Sequence, residues 1–131
     1  MSLKKGFTLV EILMVVAILG LLTALVVLPN VLRSRLIAND SVARATLKTI
    51  STALESYYSI NNSYPPDTAT LLTSIPSYLH ADFFDGVEHS GFTYNAAVLT
   101  DYAYSITATP VSTSQGTGSV TISTGGILSE N

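Results

Sequence analysis

Glu11 is the only charged residue in an apolar run that covers residues 7–28, and a basic leader with Lys4 and Lys5 precedes this run. A charged side chain deep in a bilayer costs roughly 2.5 to 3.5 kcal/mol on insertion scales. A cation close to the carboxylate offsets part of that cost, because opposite charges stabilise each other most where water is excluded. The type and position of Glu11 therefore predict an interaction partner at the start of the apolar run.

The apolar run is long enough to cross a membrane. Its 22 residues would form a helix of about 33 Å. A cleavable secretory signal has a shorter apolar region and ends in an A-x-A-like site, whereas this run continues into Pro29 and Asn30. Lys4 and Lys5 favour a cytoplasmic N-terminus. The run is thus predicted to be a membrane anchor with an exported C-terminal portion.

The residues around the carboxylate resemble the beginning of type IV pilins and of their pseudopilin relatives. The resemblance rests on Gly6-Phe7-Thr8-Leu9-Val10-Glu11 and on the apolar residues that follow it up to Gly20. It implies that a membrane-bound prepilin peptidase cuts between Gly6 and Phe7, and that the new Phe7 amine is methylated. It also implies an assembly role for Phe7 and Glu11, in which the carboxylate pairs with the terminal amine of a neighbouring subunit. The alternative is an ordinary signal anchor in which Glu11 reaches back to the lipid headgroups.

Helix is predicted to continue from the apolar run to about residue 58. Gly20 and Pro29 are the predicted sites of a kink or of local unwinding, because glycine weakens a helix and proline removes a backbone hydrogen bond. Pro29 lies one residue later than the pilin pattern places its proline. Beyond residue 30, spacings of three and four predict one apolar stripe along the helix. Its members are Ala43, Leu47, Ile50, Leu54 and Tyr57.

The C-terminal third is predicted to form an antiparallel meander of three or four strands. Alternating patterns place strands at residues 92–96, 102–109 and 118–124, with a short edge at 126–128 and a helical piece at 68–75. The predicted fold class is α+β: a long N-terminal helix, kinked at Pro29, packed against this small sheet as in a pilin ladle. The division is a leader at 1–6, a transmembrane and filament-core half-helix at 7–29, and an exported domain at 30–131. That domain comprises helix 30–58, loop 59–91 and meander 92–131.

An acidic loop before the first strand invites a calcium hypothesis, since Ca²⁺ takes oxygen ligands from such loops. Its spacing does not match an EF-hand, and a solvated loop is the favoured interpretation. Two histidines in the same region have no nucleophile or cysteine at motif spacing. The sequence therefore predicts no catalytic, cofactor-binding or metal-ligating residue. The residues weighed here are Asp82, Asp85, Glu88, His80 and His89.

Charge is distributed unevenly along the chain. All six basic residues lie in the first 48 positions, and seven carboxylates without a single cation follow Lys48. An acidic outer half argues against nucleic-acid binding through a basic patch. The chain has no cysteine, so the exported portion must be stabilised by its core, its neighbours or a bound ion.

Taken with the resemblance, these features predict a non-enzymatic structural subunit of a type IV pilus that serves adhesion, motility or DNA uptake. The alternative is a pseudopilin of a type II secretion system. The Ser/Thr/Gly-rich C-terminus and the lack of a recognisable pseudopilin calcium loop favour the pilus. The implied partners are further copies of the chain, prepilin peptidase, the inner-membrane assembly machinery and the membrane itself. The implied location is the bacterial inner membrane before assembly and the extracellular filament afterwards.

Overall fold

The computed structural model describes Ser2 and Lys5–Asn131, so Lys4 of the predicted leader lies outside the described residues. Two helices and four strands occur in this part of the chain. In chain order they are α1 (Leu9–Asn61), α2 (Ala69–Thr73), β1 (Phe92–Thr100), β2 (Ala103–Pro110), β3 (Val120–Ser123) and β4 (Ile127–Glu130). The chain divides into two compact units, one up to Ser34 and one from Arg35 to Asn131.

The first unit consists mainly of the beginning of α1, and its side chains from Leu9 onward are exposed. Among the described residues, α1 is long and apolar enough to cross a membrane. The few polar side chains in this part of the helix bond to carbonyls within the helix. Thr23 donates to the carbonyl of Leu19 at 2.8 Å, and Asn30 donates to that of Val26 at 3.0 Å. Such internal bonds let polar residues remain in a segment that water does not reach.

The second unit has a core between the later turns of α1 and one face of the sheet. Ala43, Leu47, Ile50 and Leu54 are buried, and Tyr57 packs against the same core. The predicted stripe is therefore confirmed. On the sheet side the buried residues are Phe92, Tyr94, Tyr104, Ile106, Ala108, Val120 and Ile122. The predicted α+β architecture, a long N-terminal helix packed against a small antiparallel sheet, is confirmed.

The four strands form one antiparallel sheet in the order β1-β2-β3-β4. All four predicted strands are present, but β1 extends to Thr100 rather than ending at residue 96. A register shift between Ala96 and Val98 lets pairing with β2 resume beyond the alanines. Tyr102, the first residue of the strand predicted at 102–109, instead lies in the β1–β2 turn and is exposed.

The loop between β2 and β3 is fastened to α1 by two helix side chains. The buried Asp40 carboxylate accepts bonds from the Thr117 backbone N–H at 3.1 Å and from its hydroxyl at 2.7 Å. Asn39 donates to the Gln115 carbonyl at 2.8 Å. Gly91 lies beside Asn39 and Gln115 and has a φ of 86°. A Cβ on residue 91 would lie 2.9 Å from the Asn39 amide nitrogen. A side chain at residue 91 would therefore meet both backbone strain and a steric clash.

Candidate functional site

The predicted processing residues lie just before α1 in exposed chain. Gly6 and Phe7 are outside any helix or strand, and Phe7 is 84% exposed. A Cβ built on Gly6 would meet no other atom within 4 Å. The Gly6–Phe7 peptide bond is therefore free of obstruction by the described residues, as a bond must be to enter a peptidase active site.

Glu11 lies in the first turn of α1 and forms a reciprocal cap with Thr8. The Glu11 Oε2 atom accepts bonds from the Thr8 backbone N–H at 2.7 Å and from the Thr8 hydroxyl at 2.8 Å. In return, the Glu11 backbone N–H donates to the Thr8 hydroxyl oxygen at 3.2 Å. This is a capping box, in which the residue at the helix boundary and the residue three positions later satisfy each other's free N–H groups. Glu11 thus fixes where the helix begins.

The capping box changes the chemistry expected of Glu11. The carboxylate already has hydrogen-bond donors within its own chain, so part of its desolvation cost is offset before any other molecule is present. Both donors are uncharged, and the carboxylate therefore keeps its negative charge and its attraction for a cation. Because Thr8 and Glu11 both follow the Gly6–Phe7 bond, cleavage there would leave the capping box intact.

Thr8 is a residue of this candidate site that the sequence-based reasoning missed. The signal was present, since Thr-x-x-Glu immediately before an apolar run is the sequence signature of a capping box. Interpreted by its charge alone, the carboxylate requires a cation or contact with the lipid headgroups. The Thr-x-x-Glu spacing also predicts a second role for the carboxylate, as an acceptor for a free N–H group at the start of the helix.

The remaining predicted residues of the first unit, Gly20 and Pro29, are both inside α1. The helix continues through each of them, so the structure contains no unwound segment at either position. Proline lacks an N–H and leaves the carbonyl four residues earlier without its usual partner. One turn of helix can tolerate that loss where the surrounding hydrogen bonds persist. A kink at Pro29 stays a prediction.

The surface of α1 in the first unit is apolar on every side. Its exposed large side chains recur at nearly every position from Leu9 to Leu32 and follow no single face. A helix that is apolar all round requires an apolar environment on all sides, either lipid or other helices. The arrangement is therefore suited to transfer from one apolar environment to another.

The acidic loop does not assemble into a metal site. Among the described residues, no group of three or more His, Cys, Asp or Glu side chains is arranged to hold a metal ion. Asp82 and Asp85 instead accept backbone N–H bonds within the loop, at 2.9 Å from Phe84 and 2.8 Å from Val87. His89 lies 3.2 Å from Asp85. The Val87 bond is the main cause of a lowered Asp85 pKa, to which His89 also contributes.

The capped apolar helix and the small sheet packed on its later turns are similar to those of the class of pilin-like proteins, and comparison with known proteins supports this similarity. A family model described as the prokaryotic N-terminal methylation motif matches residues 1–27. The type IV wide pilus major component PilA4 of Thermus thermophilus is 45% identical over 69 residues, which are 53% of this chain and 52% of that protein.

Both branches of this class occur among the relatives. The type II secretion system core protein G of Pseudomonas aeruginosa is 47% identical over 62 residues, 47% of this chain and 43% of that protein. The type IV major pilin protein PilA of Myxococcus xanthus is 38% identical over 61 residues, 47% of this chain and 27% of that protein. The chain spans about half, or less, of the length of these relatives. The resemblance to type IV pilins and pseudopilins is confirmed.

Proposed function

We propose that this chain is a structural subunit of a type IV pilus. It is inserted in the bacterial inner membrane as a precursor, cleaved after Gly6 by prepilin peptidase, and methylated on the new Phe7 amine. The assembly machinery of the inner membrane then extracts it, and copies polymerise through the apolar part of α1 into an extracellular filament. The protein acts as a building unit for adhesion, motility or DNA uptake and performs no catalysis itself.

The observation that carries this proposal is an exposed helix, apolar on every side, with one capped carboxylate in its first turn. A simple anchor needs only the apolar surface. The carboxylate gains its function when a cation approaches it in a water-poor environment. Cleavage before Phe7 supplies such a cation on each subunit, four residues from Glu11, and a neighbouring copy can bring it to that carboxylate.

The test separates the charge of Glu11 from its capping role. Glu11→Gln keeps an acceptor for the Thr8 N–H but removes the charge, because glutamine also completes a capping box. Glu11→Ala removes both. We expect both variants to be inserted and processed normally, and both to yield few filaments by electron microscopy. Normal filament number and length for Glu11→Gln would contradict the ion pair and leave only the cap.

A second candidate function is a pseudopilin of a type II secretion system. It is supported by the 47% identity to a core protein G, which is as high as the identity to the pilus component. The two functions predict different losses when the gene for this chain is deleted. Loss of long surface filaments supports the pilus. Intact filaments with loss of secreted proteins from the medium support the pseudopilin.

A further inference from the structure

An open groove on the second unit runs between the later turns of α1 and the turn that joins β3 to β4. It has a volume of about 720 Å³, and its lining consists of serine and threonine side chains, two glycines, one carboxylate and the apolar side chain of Ile60. The lining residues used below are Ser51, Glu55, Ser56, Gly125 and Gly126. We call it the Glu55 groove. It lies outside the assembly site described above, and none of the roles proposed for that site uses it.

The Glu55 carboxylate is held in one orientation by three donors on a single oxygen. Its Oε1 atom accepts bonds from the hydroxyls of Tyr64 and Tyr104 and from the Gly125 backbone N–H, each at 3.1 Å. Its Oε2 atom accepts no hydrogen bond from the described residues, and the side chain is half-buried. Because Oε1 is already held by three donors, the Glu55 side chain loses little further conformational freedom when a ligand binds to Oε2.

The two tyrosines donate to Glu55 as neutral phenols. Burial and then the hydrogen bond to Glu55 raise the pKa of Tyr64 to about 12, and the negative charge of Glu55 adds to the effect. Burial likewise raises the pKa of Tyr104. Both phenols are therefore protonated donors at neutral pH, and neither can supply a positive charge to Oε2. The groove offers a fixed negative charge that lacks a cation.

The turn on the other side of the groove leaves room for a long side chain. Gly125 and Gly126 have φ of 80° and 75°, a conformation that favours glycine. A Cβ on Gly125 would point into open space, with no atom within 4 Å. The absence of side chains at this turn keeps the groove accessible up to Glu55.

The chain itself carries cations that have no intramolecular partner. Within the described residues the ion pairs are Arg44 with Glu130 at 2.8 Å and His89 with Asp85. Arg33, Arg35 and Lys48 take part in neither pair and are exposed. Lys48 lies seven residues before Glu55 on the same helix face, so it flanks the groove rather than entering it from outside.

Of the two exposed cations that have no ion pair within the described residues of the compact unit of Glu55, Arg35 and Lys48, only Arg35 carries a guanidinium. Twenty residues of helix separate Arg35 from Glu55, which is about 30 Å along α1. An arginine side chain cannot span that distance within one molecule. A parallel second copy, displaced by about 30 Å along the helix axis, would bring its Arg35 to the Glu55 of the first.

We infer that the Glu55 groove is an intersubunit site that receives the guanidinium of Arg35 from a second copy of this chain. This inference rests on the proposed function as a filament subunit. It adds an ion pair on the outside of the apolar helix packing, with an axial offset of about 30 Å between the two copies. Guanidinium suits the site, since its several N–H groups can bond to Oε2 and to the neighbouring serine hydroxyls together.

The first test uses a double-mutant cycle on filaments made by cells that express the full-length chain. Glu55→Gln keeps the Oε1 acceptor for both tyrosines and Gly125 while it removes the charge. We expect Glu55→Gln and Arg35→Gln each to lower filament yield at low salt by about two- to fivefold, as for a partly exposed ion pair. The double variant should show no further loss, and the three variants should lose the same part of the salt dependence.

Arg33→Gln is the matched control, because residues two apart on a helix do not share a face. It makes the same change in net charge and should leave the yield close to that of the wild type. An equal loss in Arg33→Gln, or additive losses in the double variant, would overturn the inference. The melting temperature of detergent-solubilised Glu55→Gln should stay within a few degrees of the wild type; a large drop would mean that the yield reports folding instead.

The second test is disulfide cross-linking, which is unambiguous here because the chain has no cysteine of its own. Filaments with Arg35→Cys and Ser56→Cys should form a ladder of covalent oligomers on oxidation. Filaments with Arg35→Cys and Ser90→Cys, which is exposed outside the groove, should not. If the wild-type chain forms filaments but the first cysteine pair gives no ladder, the inference alone is rejected. If the wild-type chain forms no filaments, the proposed function and the inference are both rejected.

Discussion

Two tyrosines on the sheet offer the most direct test of the hydrogen-bond network in the second unit. Tyr104 is 2% exposed, and its hydroxyl lies 2.7 Å from the Ser51 hydroxyl, 3.1 Å from Glu55 Oε1 and 3.3 Å from the Gly126 N–H. Tyr94 is 4% exposed, and its buried hydroxyl has no hydrogen-bond partner among the residues that the structure describes. The substitutions Tyr104→Phe and Tyr94→Phe each remove one buried hydroxyl group from the same sheet. The Tyr104 hydroxyl is hydrogen-bonded, whereas, within the described part of the chain, the Tyr94 hydroxyl is not.

The expected effects differ in sign. Tyr104→Phe removes one bond to a charged acceptor and two to neutral groups, and we expect the free energy of unfolding to fall by about 2 to 3 kcal/mol. Tyr94→Phe removes a polar group that was buried without compensation, so we expect a change between zero and a gain of about 1 kcal/mol. Burial raises the pKa of Tyr94, and the nearby Thr46 side chain opposes that effect without completing a hydrogen bond.

The measurement is thermal unfolding of the full-length chain in detergent, followed by tyrosine circular dichroism or fluorescence. All seven tyrosines lie in the second unit and the chain has no tryptophan, so the signal reports that unit. For a domain of about 100 residues, a loss of 2 to 3 kcal/mol corresponds to a decrease in Tm of roughly 8 to 15 °C. Equal decreases in the two variants, or no decrease in Tyr104→Phe, would refute the reasoning.

Three further predictions concern other parts of the molecule. The free energy of unfolding should fall by about 2 to 3 kcal/mol as the pH rises from about 10, where an unfolded tyrosine titrates, to about 12, the raised pKa of folded Tyr64. Urea denaturation across that range measures the loss, which Tyr64→Phe should reduce. Thr8→Val should weaken the start of α1 by about 1 kcal/mol, seen as roughly fivefold faster amide exchange in its first turn, while Thr8→Ser should not. Asp40→Ala should lower the free energy of unfolding by about 1 to 2 kcal/mol, and adding Thr117→Val should cost little more, because the two side chains bond to each other.

The sequence was sufficient to predict the elements whose pattern is local. The apolar stripe on α1 and the alternation around Ile106 each repeat within one element, so helix, sheet and core were predicted correctly. The end of β1 was not, because Asn95 and two alanines have low strand propensity and pairing beyond them depends on β2. The spacing of Tyr102 from Tyr104 fits a strand, but Tyr102 lies with Asp101 in the turn between β1 and β2.

The candidate sites divide in the same way. The Thr8–Glu11 capping box joins residues three positions apart, so it can be predicted from the sequence. The Glu55 groove cannot, because it joins residue 55 to residues 64, 104 and 125. By its helical spacing alone, Glu55 is a charged residue beside the apolar stripe, where a solvated side chain is expected. Its partners come from a loop, a strand and a turn, which only the packing of the sheet on α1 brings together.

The order of the strands has a consequence for how the second unit forms. Each strand pairs with the one that precedes it in the chain, from β1 through β4. In this order, no strand has to pair with a segment that is distant in the sequence. The short sequence separation between paired residues favours rapid folding. Because α1 precedes the strands in the chain, its later turns can serve as a surface on which the sheet forms. The sheet can then grow on it one hairpin at a time, without a stage at which an unpaired central strand is left open to aggregation.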